Sequence, residues 1–341
     1  MSRVLVAMSG GVDSSVAAAM LRDEGHDVTG VTLRLWGGES DSGCCSVADV
    51  EDARRVAAQL GIPHYIFNFG DEFDAEVVNP YVESYAAGRT PNPCVDCNTK
   101  MKWGRLLDRT MAMGFDAMAT GHHARLRLDG TRTHLCRGVD SAKDQSYVLA
   151  RLQAIQLVNT LLPVGELTKS EVRNEAERLD LRTAQKAESM DVCFIKRGGR
   201  RTFLSDRIEE QGGALVTTTG EVVGEHAGVS AFTVGQRRGL GVALGERRFV
   251  VDVDASTATV TIGEREDLLC DVSAIRDVKF VGDSISFGTD VLVQVRAHGV
   301  AARATFEDGA IHWVEAQPRV AAGQVVAMYH DDVVLGSGIA R

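Results

Sequence analysis

Ser9, Gly10, Gly11, Val12, Asp13, Ser14 and Ser15 are the first residues of this chain whose types and spacing could do chemistry. Two adjacent glycines let a backbone turn tightly, and hydroxyls with one carboxylate surround them. The stretch stands between an apolar, β-branched run from Val4 to Met8 and an alanine-rich run that ends near Gly25. That order predicts a buried strand, a glycine turn and a helix, with Ser14 or Ser15 as the helix cap and Gly25 at its end. Such a helix start offers unpaired N–H groups and the positive end of the helix dipole, which suits a phosphate. The loop is not a Walker A loop, because no Gly-Lys-Ser/Thr follows, and it is not G-x-G-x-x-G, because its glycines are adjacent. A strand-to-helix turn that merely favours glycine and serine is the bland alternative.

Cysteines supply the second chemistry. Cys94 and Cys97 follow Pro91, Asn92 and Pro93, and the prolines predict an extended, rigid loop just before a basic helix holding Lys100, Lys102, Arg105 and Arg109. A thiol near a helix start and close to lysines is expected to be partly thiolate, which is a nucleophile's setting. The C-x-x-C pair could also be half of a zinc site, although no second pair follows, or a redox pair, although its prolines are unlike thioredoxin's context. An iron–sulfur cluster built from these two and one distant cysteine is a third option. Cys193, before Phe194 and Ile195, reads by itself as an ordinary core cysteine.

The elements that must position these groups alternate. Apolar strands are expected at Val4 to Met8, Val28 to Leu33, His64 to Phe69 and Ala117 to Thr120, with helices at Val47 to Leu60, Asp71 to Ala87 and Thr168 to Leu181. Thr168 and Glu171 have the spacing of a capping box. This alternation predicts a doubly wound parallel α/β sheet, with ligands at the carboxyl ends of its strands. Past residue 212 short β-branched runs such as "RRFVVDVD", "DVLVQVRA" and "QVVAMY" predict antiparallel strands in small β domains. The expected division is 1–197, 198–265 and 266–341.

Composition bounds the rest. A chain of 341 residues with 44% hydrophobic and 25% charged residues can bury a core, and it has no run of 18 apolar residues, so no membrane partner is expected. Without an apolar leader, a cytoplasmic location is expected, and the seven cysteines are read as thiols or ligands rather than a disulfide framework. A formal charge of −10 argues against bulk attraction to nucleic acid. Local basic groups remain candidates for phosphate contacts, namely Lys100, Lys102 and the Arg197 to Arg201 cluster; solvated faces are the alternative.

The opening loop resembles the pyrophosphatase-type loop of enzymes that split ATP into AMP and pyrophosphate, with Ser9, Gly10, Gly11, Asp13 and Ser14 at matching positions. Beyond the loop the chain resembles the bacterial tRNA-specific 2-thiouridylases, ATP-dependent sulfurtransferases acting on the wobble uridine. The likeness rests on "MSGGVDSS", "AGRTPNPCVDCN", "ATGHHAR", "KDQSYVL", "PVGELTKSEVR", "DVCFI" and "TVGQRRGLG", which occur in that order over nearly the full length. It implies a Rossmann-like ATP pyrophosphatase domain followed by a small β-rich domain and a β-barrel that touches tRNA. It implies an ATP site lined by Ala7, Met8, Ser9, Gly10, Gly11, Val12, Asp13 and Ser14, with Leu33 near adenine, Gly121 nearby, and Asp13 helping to hold Mg2+.

By the same resemblance, Cys193 carries a persulfide received from a sulfur donor protein, and Cys97, directly before Asn98, is the nucleophile that ends in a Cys97–Cys193 disulfide. Asn92, Pro93 and Cys94 match the positions that touch the target base of the anticodon stem-loop, as do Lys143, Asp144 and Gln145. His122, Arg296 and Gln324 match tRNA-contacting positions. Two departures stand out: Cys94 replaces the aspartate found in many members, and Ala297 replaces an aromatic residue. Cys94 keeps open a [4Fe–4S] cluster on Cys94, Cys97 and Cys193. Amidating ligases and lysidine-forming tRNA enzymes share the first loop but need neither Cys97 nor Cys193, and a non-catalytic RNA- or nucleotide-binding protein is the reading from another class.

Overall fold

Strand β1 (Arg3–Ala7) buries Val4 and Val6 in one apolar core and Leu5 in another. Both faces of the strand are therefore covered, which is why its sequence is an unbroken apolar run rather than an alternation. The structure is a computed structural model that describes residues 1–35, 46–187, 192–195, 199–242 and 245–341. Parallel pairing joins β1 to β2 (Asp27–Arg34) and β4 (Ala117–Thr120), and carries the sheet on to β3 (His64–Asn68) and β7 (Thr160–Leu161), in the order β3-β2-β1-β4-β7. Strand order reverses at β1, which opens a crevice at its carboxyl end beside β4.

Helix α1 (Val12–Asp23), helix α2 (Val47–Leu60) and helix Lys169–Arg178 share the core that holds Val4 and Val6. The Thr168–Glu171 capping box expected from the sequence is formed, and Gly61 and Gly25 end the first two helices at φ of 70° and 85°. The other face is covered by two long rods. One runs through Gly70–Phe73, Asp74–Val78 and Asn79–Ala86, the other through Pro93–Asp96, Cys97–Leu106 and Leu107–Ala112, each with a wide π-type stretch in its middle.

The second rod corrects an expectation. Pro93 does not hold the cysteines in an extended loop; it is the first helical residue, where its fixed φ and missing N–H cost nothing. The Asn92 side chain caps that turn by accepting from the N–H groups of Cys94 (3.2 Å) and Val95 (3.4 Å). Cys94 and Cys97 accordingly lie inside the helix, one turn apart.

The α/β alternation is interrupted by a hairpin that the sequence pattern did not reveal, β5 (Ala124–Asp129) with β6 (Arg132–Arg137). Strands β8 (Gly213–Thr217), β9 (Val222–His226), β10 (Phe249–Asp254) and β11 (Thr259–Gly263) make a small sheet in the order β10-β11-β8-β9. Its β11–β8 pair is parallel rather than antiparallel, which the long connection between them permits. Strands β12 (Leu269–Phe280), β15 (Ala310–Pro318), β14 (Ala302–Glu307), β13 (Thr289–Gln294), β16 (Val325–His330) and β17 (Val333–Ala340) follow one another around a barrel that the β12–β17 pairing closes. Hairpin β5–β6 joins that barrel's sheet through Cys136 opposite Val333.

The barrel is tied to the first domain at buried polar joints. Arg137 lies 3.7 Å over the Tyr329 ring and donates to Asp144 (2.9 Å) and Gln294 (2.7 Å). Tyr147 is fully buried; its one hydroxyl proton is directed to the Val325 carbonyl (2.9 Å) and shared with that of Val295 (3.2 Å), and the hydroxyl meets the Asn92 side chain. Burial pushes its phenol well above the ordinary range. Replacing Tyr147 by Phe removes the donor to the buried Val325 carbonyl and loosens the Asn92 cap, so the expected loss is about 1–3 kcal/mol in denaturant unfolding. An unchanged midpoint would show that the joint carries no weight.

Candidate active site

The sequence predicted a serine cap on α1, and the structure shows none. The helix starts at Val12 with Gly11 as its N-cap and no side-chain bond to its first N–H groups. Ser14 and Ser15 sit one turn too late, and their hydroxyls donate back to the Gly11 carbonyl, at 3.2 and 2.8 Å. Ser14 Oγ also receives the Ser9 N–H at 3.2 Å, which closes the loop on itself. The first-turn donors are left for a ligand, and the dipole adds a positive potential there.

Two glycines make this loop fit. Gly10 has φ 73°, and a Cβ on it would meet the Asp49 carbonyl oxygen at 2.2 Å, so the turn packs directly on the first turn of α2. Gly121, just past β4, lies against α1: a Cβ there would stand 2.5 Å from the Ser14 nitrogen. The loop after β1 and the loop after β4 therefore face each other across the crevice where strand order reverses. Ala7 ends β1 and Met8 follows it, and Leu33 lies near the end of β2, 8% exposed.

Charge is compensated closely around the loop. Asp13 accepts from Lys169 Nζ with both oxygens at 2.7 Å and from His123 Nε2 at 3.1 Å. Burial alone would raise its carboxyl, yet the bonds from His123 and Lys169 outweigh that and hold it below the usual range. Behind the loop, Lys186 Nζ donates to the Gly10 carbonyl (3.0 Å), Asp49 (2.6 Å) and Asp52 (2.7 Å). His123, Lys169 and Lys186 were not singled out from sequence, although His123 and Lys169 lie in stretches that were.

Cys97 is buried in the core that holds Leu5, Val31 and Leu33, and Cys193 packs against the same cluster. Phe194 inserts between Phe73 and Tyr81, with ring centres 5.6 and 5.5 Å away, and the Cys94 thiol lies near enough to Tyr81 to act on its phenol. The sequence-distant segments at 94–97 and 193 thus share one corner of the first domain. Residues 188–191, and Lys196 and Arg197 of the expected basic cluster, lie outside the described residues.

The remaining candidates divide. Asp144 is buried and accepts from Arg137, Gly138, Ser146 N–H and Ser146 Oγ, at 2.9, 3.0, 3.0 and 2.8 Å, which makes it a brace. Gln145 Oε1 accepts from the His123 N–H at 2.9 Å, and Lys143, two residues earlier, is half-buried. Gln324 Nε2 donates to the Thr90 carbonyl at 2.6 Å, so the barrel grips the segment leading to Asn92. Arg296 is exposed. His122 has both nitrogens engaged: a lysine ammonium only donates, so Nε2 accepts from Lys102 (3.5 Å) and Nδ1 donates to Thr120 Oγ1 (2.7 Å). Burial, with Lys102 and His123 nearby, keeps its ring neutral. Of the basic residues, Lys100 turns to the Glu76 carbonyl (2.9 Å) and Asp96 (3.3 Å), and Arg105 to Glu76 (2.6 Å).

No group of three or more His, Cys, Asp or Glu side chains suited to a metal ion is found among the described residues. Cys94, Cys97 and Cys193 do not converge as a ligand set, and the single carboxylate Asp13 is already bonded by Lys169 and His123. These residues do not fit a cluster or a resident magnesium ion in this arrangement.

A family model described as tRNA methyl transferase HUP domain matches residues 2–197, one described as tRNA methyl transferase PRC-barrel domain matches 201–264, and one described as Aminomethyltransferase beta-barrel domain matches 271–340. The chain is 49% identical to tRNA-specific 2-thiouridylase MnmA of Mycobacterium avium, with 98% of each chain covered. It is 46% identical to the protein of that name from Thermobifida fusca, covering 98% of this chain and 94% of the relative. A solved 4-thiouridine synthetase–RNA complex with bound ATP is 17% identical over 56% of this chain and 44% of that one, with a TM-score of 0.39. From the full-length identity to curated relatives, together with the glycine loop and the paired cysteines, the chain belongs to the tRNA-specific 2-thiouridylase family.

Proposed function

We propose that this protein is a tRNA-uridine 2-sulfurtransferase that activates the C2 oxygen of a wobble uridine with ATP and replaces it with sulfur. The observation that carries the reading is the packing of Cys97 and Cys193 on the cluster that also holds Leu5 of β1, the strand leading to the glycine loop, and Leu33 of the neighbouring β2. Sulfur chemistry and nucleotide chemistry can then meet at one end of the sheet. Two of the matching family descriptions name methyl transfer, but two cysteines in the domain that carries an ATP-type loop suit sulfur transfer, and the curated relatives are named thiouridylases.

A uridine carbonyl has a poor leaving group. Adenylation of O2 converts it to a good one, with pyrophosphate departing toward the N–H groups at Ser9 to Ser14; magnesium belongs with the nucleotide's phosphates. A persulfide on Cys193, delivered by a sulfur donor protein, attacks C2 with its terminal sulfur as AMP leaves. Cys97 then attacks the Cys193 sulfur, the S–S bond breaks toward the base, and a Cys97–Cys193 disulfide remains. Asn92, Pro93, Cys94, Lys143 and Gln145 border the target base in this reading, and Arg296 and Gln324 meet the tRNA beyond it. Asp144 acts by bracing that motif.

We read the units as 1–197 for the nucleotide and cysteine chemistry, 198–265 as a small β-rich unit, and 266–341 as the tRNA-facing barrel; the family matches fall close to those limits. We place the reaction in the cytoplasm with its tRNA. No helix among the described residues is long and apolar enough to cross a membrane.

Cys97→Ala and Cys193→Ala should each cut thiolation by a factor on the order of 10³ or more while tRNA-dependent pyrophosphate release persists. Nucleoside mass analysis reads the first and a pyrophosphate assay the second; full thiolation in both variants would refute the sulfur route. Protein purified without oxygen should thiolate tRNA without bound iron and sulfide, and activity that tracks a cluster instead would replace the persulfide. Gly121→Ala pushes a Cβ into the α1 backbone, so ATP affinity should fall by about tenfold or more with β1 and α1 still folded. Unchanged affinity would mean the crevice can widen freely.

A further inference from the structure

Lys169 lies far from the glycine loop in sequence, yet its ammonium reaches both oxygens of Asp13. Its position is built rather than incidental. It is the first residue of helix Lys169–Arg178, behind the Thr168–Glu171 capping box, and its own N–H donates to Asp140 Oδ2 at 3.0 Å. Val172 and Ala176 seat that helix in the same core as Val16 and Ala17 of α1. The Lys169 side chain is only 13% exposed, so few other places are open to the ammonium.

Asp13 poses an electrostatic problem that this lysine answers. It stands in the first turn of α1, beside donors that suit a polyphosphate, and a bare carboxylate there would repel such a ligand. His123 is buried and bonds the same carboxylate through Nε2, which keeps Asp13 in place. Lys186 approaches the loop from the opposite side, at the Gly10 carbonyl and the α2 carboxylates, and serves the turn rather than a ligand. An ammonium can donate to more than one acceptor at once, so it can keep Asp13 and take a phosphate oxygen.

We propose that Lys169 is a nucleotide-binding residue whose ammonium bridges Asp13 and the terminal phosphates of ATP, and that it stays with pyrophosphate as that group leaves. The inference rests on the ATP-dependent reading above. In the step it serves, the bond from uridine O2 to the α-phosphorus forms and the bond from that phosphorus to the bridging oxygen breaks. The electron pair goes to the pyrophosphate oxygen, and Lys169 keeps its proton throughout.

The test measures binding of inorganic pyrophosphate, ATP and AMP to the full chain and to Lys169→Met, Lys169→Arg and Asp13→Asn/Lys169→Met, with thermal midpoints as a check on folding. Lys169→Met should weaken pyrophosphate and ATP by about 10- to 100-fold, the worth of one charge-assisted hydrogen bond, and leave AMP within about twofold. Lys169→Arg should recover part of the loss. Should Lys169→Met fail to fold, Lys169→Gln carries the same comparison. Pyrophosphate binding that Lys169→Met leaves intact would overturn the proposal. So would full recovery in the double variant, because Lys169 would then only cancel the charge of Asp13. A wild-type protein that binds neither ATP nor pyrophosphate would overturn the nucleotide reading together with it.

Discussion

The close approach of Gly121 to the backbone of Asp13 and Ser14 is the constraint on which the rest of this molecule depends. It brings the end of β4 against the first turn of α1 and thereby closes the crevice at the point where strand order reverses. A side chain at 121 would hold the two loops apart. Their proximity concentrates helix N–H groups, the Asp13 carboxylate and the Lys169 ammonium in one small volume, where polar interactions are less screened than at an open surface.

The cysteines depend on a second set of contacts that start in the barrel. Gln324 and the carbonyl of Ala322 hold Thr90, and Tyr147 reaches from Val295 and Val325 to Asn92, which caps the helix carrying Cys94 and Cys97. Arg151 adds a further tie by donating to Asp277 at the bend in β12, the strand that closes the barrel. The barrel is therefore part of the scaffold that positions Cys94 and Cys97.

Ion pairs around the site do different work at different depths. Lys186 with Asp49 and Asp52, and Lys169 with Asp13, are partly buried and fix backbone or carboxylate positions, while Arg55–Glu51 on the outside of α2 is the solvated kind that contributes little. The basic residues of the Cys97 helix show the same division. Lys100 and Arg105 both pair with Glu76 of the other rod, Arg105 on the exposed surface, and Lys102 faces His122, so part of the charge that looks available in sequence is engaged within the fold.

Local rules were enough to recognise the parallel strands, the glycine loop, the capping box at Thr168 and the β-rich second half, because each is written in neighbouring residues. They were enough to select Cys97 and Cys193 only once a family likeness joined them, since a cysteine beside Phe194 looks like core. Pro93 misled for a local reason: a proline that forbids a helix interior is welcome at its first position, and only Asn92's cap decides between the two. Residue order alone determined the type of those elements and the glycine turn. Tertiary structure decided that hairpin β5–β6 joins the barrel, that Lys169 meets Asp13 and that Tyr147 links the barrel to Asn92. Those contacts join residues dozens to more than a hundred positions apart, where no periodicity in the chain can signal them.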